Sequence, residues 1–210
     1  MLVKDKSKYY RKATKHGRMY FKVGSDDIPY PSVTNIISSK KEKKYKSSGA
    51  SPSMVIGTIV HYRILKRYSK NLLPMSTESI WNIKRDDVNL RIARCLQMWN
   101  NLNLKIKPFA VETSLFNELP KYAGTLDLFG KINNERYILD LKTGMQYDDH
   151  VVQAGSYWNA LKRKPKVMFV YLDSIIDRNP EQLAVVREFT NYELEKGYEE
   201  FLDLYTDFEL

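Results

Sequence analysis

Residues 122–142, YAGTLDLFGKINNERYILDLK, decide the fold expected for this chain of 210 residues. Two runs of alternating apolar and polar residues flank the pair Asn133–Asn134, which is typical of two antiparallel strands joined by a tight turn. A further strand-like run, 109–116, precedes them and is separated from them by Leu119–Pro120. The stretch therefore predicts three consecutive strands built as hairpins.

Three charged side chains in this stretch suggest a chemistry. Strand residues two apart share a face, so Asp140 and Lys142 project together, and Asp127 on the partner strand can lie opposite them. Two carboxylates on one face repel each other unless a cation lies between them, and such oxygen ligands suit Mg²⁺ or Mn²⁺. A lysine beside them can hold an attacking water or offset the charge of a phosphate. The set fits metal-assisted hydrolysis of a phosphodiester.

The pattern Asp127…Asp140-Leu141-Lys142 resembles the PD-(D/E)XK nuclease superfamily. Its RecB-like branch also carries G-x-x-x-H on an upstream helix, matched here by 57–61 (GTIVH), and Q-x-x-x-Y after the lysine strand, matched by 153–157 (QAGSY). The resemblance covers roughly residues 54–172, and the segment IPYPSVTNII is similar, more weakly, to phage and mitochondrial genome-maintenance exonucleases. It implies an α/β, restriction-endonuclease-like core with a mixed central sheet flanked by helices.

The resemblance also implies roles for individual residues. The metal ligands would be His61, Asp127, Asp140 and the backbone carbonyl of Leu141, with Glu112 as a further acidic ligand. Lys142 would position the attacking water. Gln153 and Tyr157 would support the site or hold the DNA backbone, and Thr143 is expected to contact DNA as well.

The remaining segments extend this α/β prediction. They predict a strand at 18–23, a turn at 24–27 continued as a break through two prolines, a short helix at 32–39, and a mobile lysine-rich loop at 40–53. Helices are predicted at 54–68, 86–103 and 149–162, and strands at 166–172 and 183–190. Thr190 and Glu193 fit a capping box that opens a last helix. We expect a basic extension over 1–53 and a nuclease core over 54–210.

The charge of the chain is unevenly distributed. Residues 1–70 hold 17 Lys or Arg against 4 Asp or Glu, whereas residues 71–210 hold 17 against 21. Such asymmetry favours a polyanion partner, nucleic acid being the usual one, although a solvated loop would show the same pattern. The densest run, expected to contact DNA, consists of Lys40, Lys41, Lys43, Lys44 and Lys46.

The single cysteine, Cys95, limits the classes of site that the chain can hold. A single cysteine excludes an intramolecular disulfide and a four-cysteine iron–sulfur cluster. Some members of the superfamily that the chain resembles carry such a cluster. It fits a reducing, intracellular setting. We expect no transmembrane helix, because no apolar run approaches 18 residues, and no secretory signal, because no apolar segment follows the basic N-terminus.

The function expected from these observations is a Mg²⁺- or Mn²⁺-dependent DNA exonuclease acting on single strands or DNA ends. One alternative is an endonuclease of the same superfamily, and another is a DNA-binding module that has lost cleavage. A third is an α/β protein unrelated to nucleic acids whose motifs match by chance. Phage or mobile-element DNA processing, organellar genome maintenance and DNA recombination or repair all fit this chemistry, with a protein partner in DNA processing as an open alternative. The short, cysteine-poor chain, rich in Lys and Tyr, favours a virus or mobile element.

Overall fold

A computed structural model describes residues 9–14, 17–39, 52–70, 72, 86–173 and 183–208, without the side chains of residues 25–28. Within these ranges eight strands and five helices follow one another. In chain order they are β1 (Tyr9–Thr14), β2 (Gly17–Lys22), β3 (Ser25–Pro31), α1 (Val33–Ser39), α2 (Pro52–Leu65), α3 (Asp86–Asn101), β4 (Ile106–Glu118), β5 (Lys121–Ile132), β6 (Glu135–Thr143), α4 (Asp149–Asn159), β7 (Lys166–Leu172), β8 (Val185–Phe189) and α5 (Asn191–Thr206).

A mixed five-stranded sheet forms the centre of the molecule, in the order β4-β5-β6-β7-β8. Strands β6 and β7 are parallel and are connected through α4, whereas the other neighbouring pairs are antiparallel. Buried side chains of α1, α4 and α5 form one apolar core, and those of α2 and α3 form another. The fold is therefore α/β, as the sequence predicts, with helices covering both faces of the sheet.

The β5–β6 hairpin follows from its turn residues. Asn133 and Asn134 both adopt positive φ angles, 48° and 68°, as a two-residue type I′ connection requires. Asparagine tolerates this left-handed region better than most residues. The turn fixes the register of β5 and β6 from Ile132↔Glu135 to Leu128↔Leu139. Continued by one residue, the same register places Asp127 opposite Asp140.

Helix α4 is held by a close approach to α5. A Cβ atom built on Gly155 would lie 2.5 Å from the carbonyl oxygen of Leu194, and one on Gly197 would collide with the carbonyl group of Val151. The two glycines thus allow the helix backbones to touch. Helix α5 begins at the predicted capping box, in which the backbone N–H of Glu193 donates to the Thr190 hydroxyl at 3.2 Å.

The N-terminal residues form a three-stranded antiparallel sheet, β1-β2-β3, that packs on β4 and β5. The Tyr20 hydroxyl is hydrogen-bonded to the Thr125 hydroxyl at 2.8 Å, and the Tyr30 hydroxyl donates to Glu118 Oε2 at 2.8 Å. The Tyr9 ring lies 3.9 Å from the Phe116 ring between centroids. These contacts fix the N-terminal sheet against the strand that carries Asp127.

The structure corrects two sequence predictions. The break predicted over 24–32 is a turn only at its start, and Ser25–Pro31 form strand β3, which tolerates Pro29 and Pro31 because β3 is an edge strand. The apolar periodicity of α3 predicts a buried face of Leu90, Ala93, Leu96, Met98 and Leu102, and the structure buries only part of it, because Leu90 and Ala93 are exposed. The buried side chains are Val88, Ile92, Cys95, Met98 and Trp99, and Leu90 is 65% exposed.

The lysine-rich loop predicted over 40–53 lies outside the described residues from 40 to 51. Its last two residues belong to helix α2, which begins at Pro52, where a proline has no helical hydrogen bond to lose. Among the described residues, no helix combines the length and the apolar character needed to cross a membrane.

Candidate functional site

A cleft of about 790 Å³ lies beside β5 and β6 and is walled by α2, α4 and the N-terminal sheet. It contains side chains of most of the residues that the sequence motifs single out. Those lining it are His61, Glu112, Asp127, Asp140, Lys142, Gln153 and Tyr157. The structure thus brings together residues that are up to 96 positions apart in the chain.

Asp127 lies where strands β5 and β6 cease to pair. Their ladder ends at Leu128↔Leu139, and the Leu141 N–H donates to Asp127 Oδ2 at 2.7 Å. The N–H and C=O of one strand residue point to the same side of the strand, so the Leu141 carbonyl also faces the opening beside Asp127. The Asp127 carboxylate replaces the backbone acceptor that the Leu141 N–H lacks at this point, and the Leu141 carbonyl remains at the edge of the opening.

His61 and Asp127 form an ion pair within the cleft. His61 Nδ1 lies 3.4 Å from Asp127 Oδ2, and the imidazole is 27% exposed. Burial acts to lower the pKa of His61, but the neighbouring Asp127 and Asp140 carboxylates outweigh burial and raise the pKa to about 9. Burial acts to raise the pKa of Asp127, but His61 and the Leu141 N–H hold that pKa below its ordinary value.

Asp140 is 4% exposed and points into the same cleft. Its Oδ2 lies 2.6 Å from Lys142 Nζ, so the two side chains form a close ion pair. Burial, with repulsion from Asp127 and despite attraction to Lys142, raises the pKa of Asp140 to about 6. A buried carboxylate is costly unless a cation compensates it, and the Lys142 ammonium is the cation beside Asp140 here.

Glu112 joins this group from strand β4. Single ligand atoms of His61, Glu112 and Asp127 lie within 4.8 Å of one another. Burial and the Asp127 carboxylate raise the pKa of Glu112. Its backbone φ of 46° lies in the left-handed region, which costs about 1–3 kcal/mol for a residue other than glycine and is typical of functional sites.

Lys142 is held by a chain of contacts that ends on helix α4. Its Nζ donates to Gln153 Oε1 at 2.8 Å and lies 4.8 Å from the centre of the Phe169 ring. Gln153 Nε2 in turn donates to the Tyr157 hydroxyl at 3.0 Å. Burial raises the pKa of Tyr157 well above its ordinary value, so the phenol stays protonated. The predicted Q-x-x-x-Y pair therefore orients the predicted lysine.

Two glycines of the motifs have a steric role. A Cβ on Gly124 would lie 2.5 Å from Tyr157 Cε1, so the absence of a side chain there makes room for the tyrosine ring. A Cβ on Gly57 would lie 2.9 Å from the Thr143 hydroxyl, so the absence of a side chain there allows helix α2 to approach strand β6 closely. Thr143 faces α2 at this point and is absent from the cleft lining, unlike the other described residues predicted to contact DNA.

The donor set of the cleft fits a divalent cation. His61, Glu112 and Asp127 place ligand atoms within 4.8 Å of one another, and Asp140 lines the same cleft outside that group. The pKa values of Glu112 and Asp140 are raised in part by repulsion from Asp127. Carboxylate and carbonyl oxygens suit Mg²⁺ or Mn²⁺, and the imidazole adds one nitrogen donor to them. The residues that could hold such an ion are His61, Glu112, Asp127, Asp140 and the Leu141 carbonyl.

Sequence reasoning missed one wall of the cleft. Arg11 and Arg18, on β1 and β2, line it opposite the acidic group. The run Tyr9–Thr14 was not predicted as a strand, and basic residues near an N-terminus resemble a solvated tail. The predicted DNA-contacting lysines, Lys40 to Lys46, lie outside the described residues.

Neither a protein-family model nor a curated protein sequence matches the chain. Among solved structures, one described as "Crystal structure of SSO0001" aligns over 82% of this chain and 84% of its own, with 12% identity and a TM-score of 0.27. A similarity at this TM-score carries no argument about fold or activity. The functional interpretation depends on the residues in the cleft.

Proposed function

We propose that this protein is a Mg²⁺- or Mn²⁺-dependent DNA nuclease with a restriction-endonuclease-like core of the PD-(D/E)XK type, in its RecB-like branch. One observation carries the proposal. The cleft gathers Asp127, Asp140 and Lys142 from two adjacent strands, together with the histidine and the Gln–Tyr pair of two flanking helices. A chance match of short motifs would not require these side chains to meet.

The chemistry proposed for the cleft is in-line hydrolysis of a phosphodiester. His61, Glu112, Asp127, Asp140 and the Leu141 carbonyl would hold the cation. When bound, the cation would supply Lewis-acid activation and a water of lowered pKa. Lys142, oriented by Gln153, would hold the attacking water and offset negative charge on the phosphate.

The substrate proposed is DNA, attacked from single-stranded ends. Gln153 and Tyr157 line the cleft and would contact the DNA backbone, and the lysine run at 40–46 would guide the strand. The proposed setting is intracellular, in viral or mobile-element DNA recombination or repair. An endonuclease of the same superfamily is the second candidate, because the same cleft chemistry serves internal phosphodiesters.

The first experiment compares cleavage of end-labelled single-stranded, double-stranded and circular DNA in Mg²⁺, in Mn²⁺ and in EDTA. Wild type is assayed beside Asp140→Asn, which removes one charge without changing shape, and beside Asp203→Ala, which removes one charge from an exposed position on α5. We expect metal-dependent loss of linear strands by wild type and Asp203→Ala. We expect Asp140→Asn to be at least about a hundredfold slower, since even residues that only support metal ligands contribute 10–100-fold.

Each other outcome has a defined meaning. Cleavage of circular DNA would make the protein an endonuclease. DNA binding without cleavage, unchanged by Asp140→Asn, would make it a binding module with an inactive site. Full activity of Asp140→Asn would contradict the metal assignment.

A further inference from the structure

The N-terminal sheet places two arginines across the cleft from the acidic residues. Arg11 pairs with Tyr20 between β1 and β2, so their side chains share a face, and Arg18 lies two residues from Tyr20 on that same face. Tyr20 is buried and bonded to Thr125 of β5, two residues before Asp127. This face therefore points towards the candidate metal ligands, and both arginines line the cleft.

Both arginines present their side chains to the cleft. Arg11 and Arg18 are exposed, and neither forms an ion pair with a carboxylate in the part of the chain that the structure describes. The positive charge of Arg11 acts to lower the pKa of Glu112, so its field reaches the acidic group. Arginines that were only structural would be expected to pair with these carboxylates.

The arginines are mounted on a fixed support. The sheet that carries them is tied to β4 and β5 by the Tyr20–Thr125 and Tyr30–Glu118 hydrogen bonds and by the packing of Tyr9 on Phe116. A charged group on a fixed support loses less freedom when it binds a ligand than one on a mobile chain.

A phosphate ligand explains why positive charge is needed at this wall. Glu112, Asp127 and Asp140 would repel a polyanion that enters the cleft, and guanidinium groups can bind phosphate oxygens through two parallel hydrogen bonds. Tyr62 of α2 adds an aromatic side chain to the lining. Phosphate-binding and aromatic groups together are typical of surfaces that hold a single nucleic-acid strand.

Building on the proposed nuclease function, we propose that Arg11 and Arg18 bind backbone phosphates of a DNA strand and hold it against the acidic group. The N-terminal sheet is then the substrate-binding wall of the cleft. This assigns DNA contacts to the described part of the basic N-terminal third, separately from the lysine run at 40–46.

The test measures how DNA binding depends on salt. Fluorescence anisotropy of a labelled 15-nucleotide single strand is recorded over a KCl series with Mg²⁺, in an Asp140→Asn background that limits cleavage. Arg11→Gln, Arg18→Gln and the double variant are compared with Lys12→Gln. Lys12 is the matched control, because it lies on β1 beside Arg11, loses the same charge, and is absent from the cleft lining.

We expect Arg11→Gln and Arg18→Gln each to bind DNA more weakly than the parent protein. The magnitude of the slope of log K against log salt concentration should decrease by about 0.7 for each single variant and by about 1.4 for the double variant. Lys12→Gln should leave the slope close to that of the parent protein. Arg11→Lys and Arg18→Lys, which retain the charge, should keep the slope. Equal slopes for the arginine variants and Lys12→Gln would overturn the inference.

Wild-type cleavage, assayed in parallel, separates the two proposals. If wild type binds and cleaves DNA while the arginine variants behave like Lys12→Gln, this inference fails and the proposed function stands. If the protein neither binds nor cleaves DNA, both fail. Thermal unfolding of each variant shows whether a change in slope reflects lost contacts or lost fold.

Discussion

Replacing Gly124 with alanine should disturb the candidate site through one identified collision. The new Cβ would lie 2.5 Å from Tyr157 Cε1 and 3.3 Å from Cζ, whereas carbon atoms in good contact are about 3.5–4.0 Å apart. The ring would have to move by about 1 Å. It is 3% exposed, so the movement must displace neighbouring core side chains.

The magnitude follows from two opposing effects. Overpacking a well-filled core costs about 1–3 kcal/mol. Alanine recovers about 0.5–1 kcal/mol relative to glycine, because its unfolded chain has less conformational freedom to lose. We therefore expect Gly124→Ala to lower the free energy of unfolding by about 1 kcal/mol, and by no more than about 2.5 kcal/mol. Displacing the ring also strains the 3.0 Å hydrogen bond between Gln153 and Tyr157 that helps to orient Lys142.

A double-mutant cycle measured by urea unfolding isolates this collision. The second variant is Tyr157→Leu, whose shorter side chain leaves free the space where Cε1 and Cζ now lie. In that background Gly124→Ala should cost nothing or stabilise slightly, since the collision is gone and part of the cavity is filled. An equal cost in both backgrounds would refute the steric role assigned to Gly124.

Two further predictions concern stability. Burial acts to lower the pKa of His61, but the neighbouring carboxylates raise the pKa to about 9. The pairing of protonated His61 with Asp127 therefore stabilises the metal-free fold fully below about pH 6.5, and this stabilisation is lost as the pH rises through 9. Because the imidazole is 27% exposed, the loss in the free energy of unfolding should be no more than about 3 kcal/mol. Urea unfolding in EDTA at pH 6 and at pH 10 measures this loss. If His61→Gln showed the same pH dependence as wild type, the prediction would be contradicted. Gly197→Ala should destabilise the protein by about 1–3 kcal/mol or more, because the added methyl meets the backbone of Val151, which no rotamer change can avoid. A thermal unfolding midpoint equal to that of wild type would show that α4 and α5 can separate without cost.

Much of the sheet was predictable because its signals are local. Alternation of apolar and polar residues indicated β4, β5 and β6, and Asn133–Asn134 indicated the turn that joins the last two. The capping box at Thr190 and Glu193 also depends only on residues three apart. Local patterns of this kind are read correctly because the interactions that enforce them lie within one turn or one hairpin.

The errors arose where burial depends on a distant partner. Helix α3 has two apolar stripes, and the sequence alone could not show that Val88, Ile92 and Cys95 would pack inwards while Leu90 stays exposed. Strand β3 contains two prolines that argue against a strand, and only its place at the edge of a sheet makes them acceptable.

The sequence by itself determined the α/β class and the order of the central elements, and it indicated which residues to examine as a candidate site. Motif spacing was informative because it follows the geometry of strands and helices, which repeats every two or 3.6 residues. Only the tertiary structure decided that Glu112 joins His61 and Asp127, that Gln153 orients Lys142, and that Arg11 and Arg18 face them across the cleft. Those contacts join residues far apart in the chain, and they depend on packing between elements that no local pattern records.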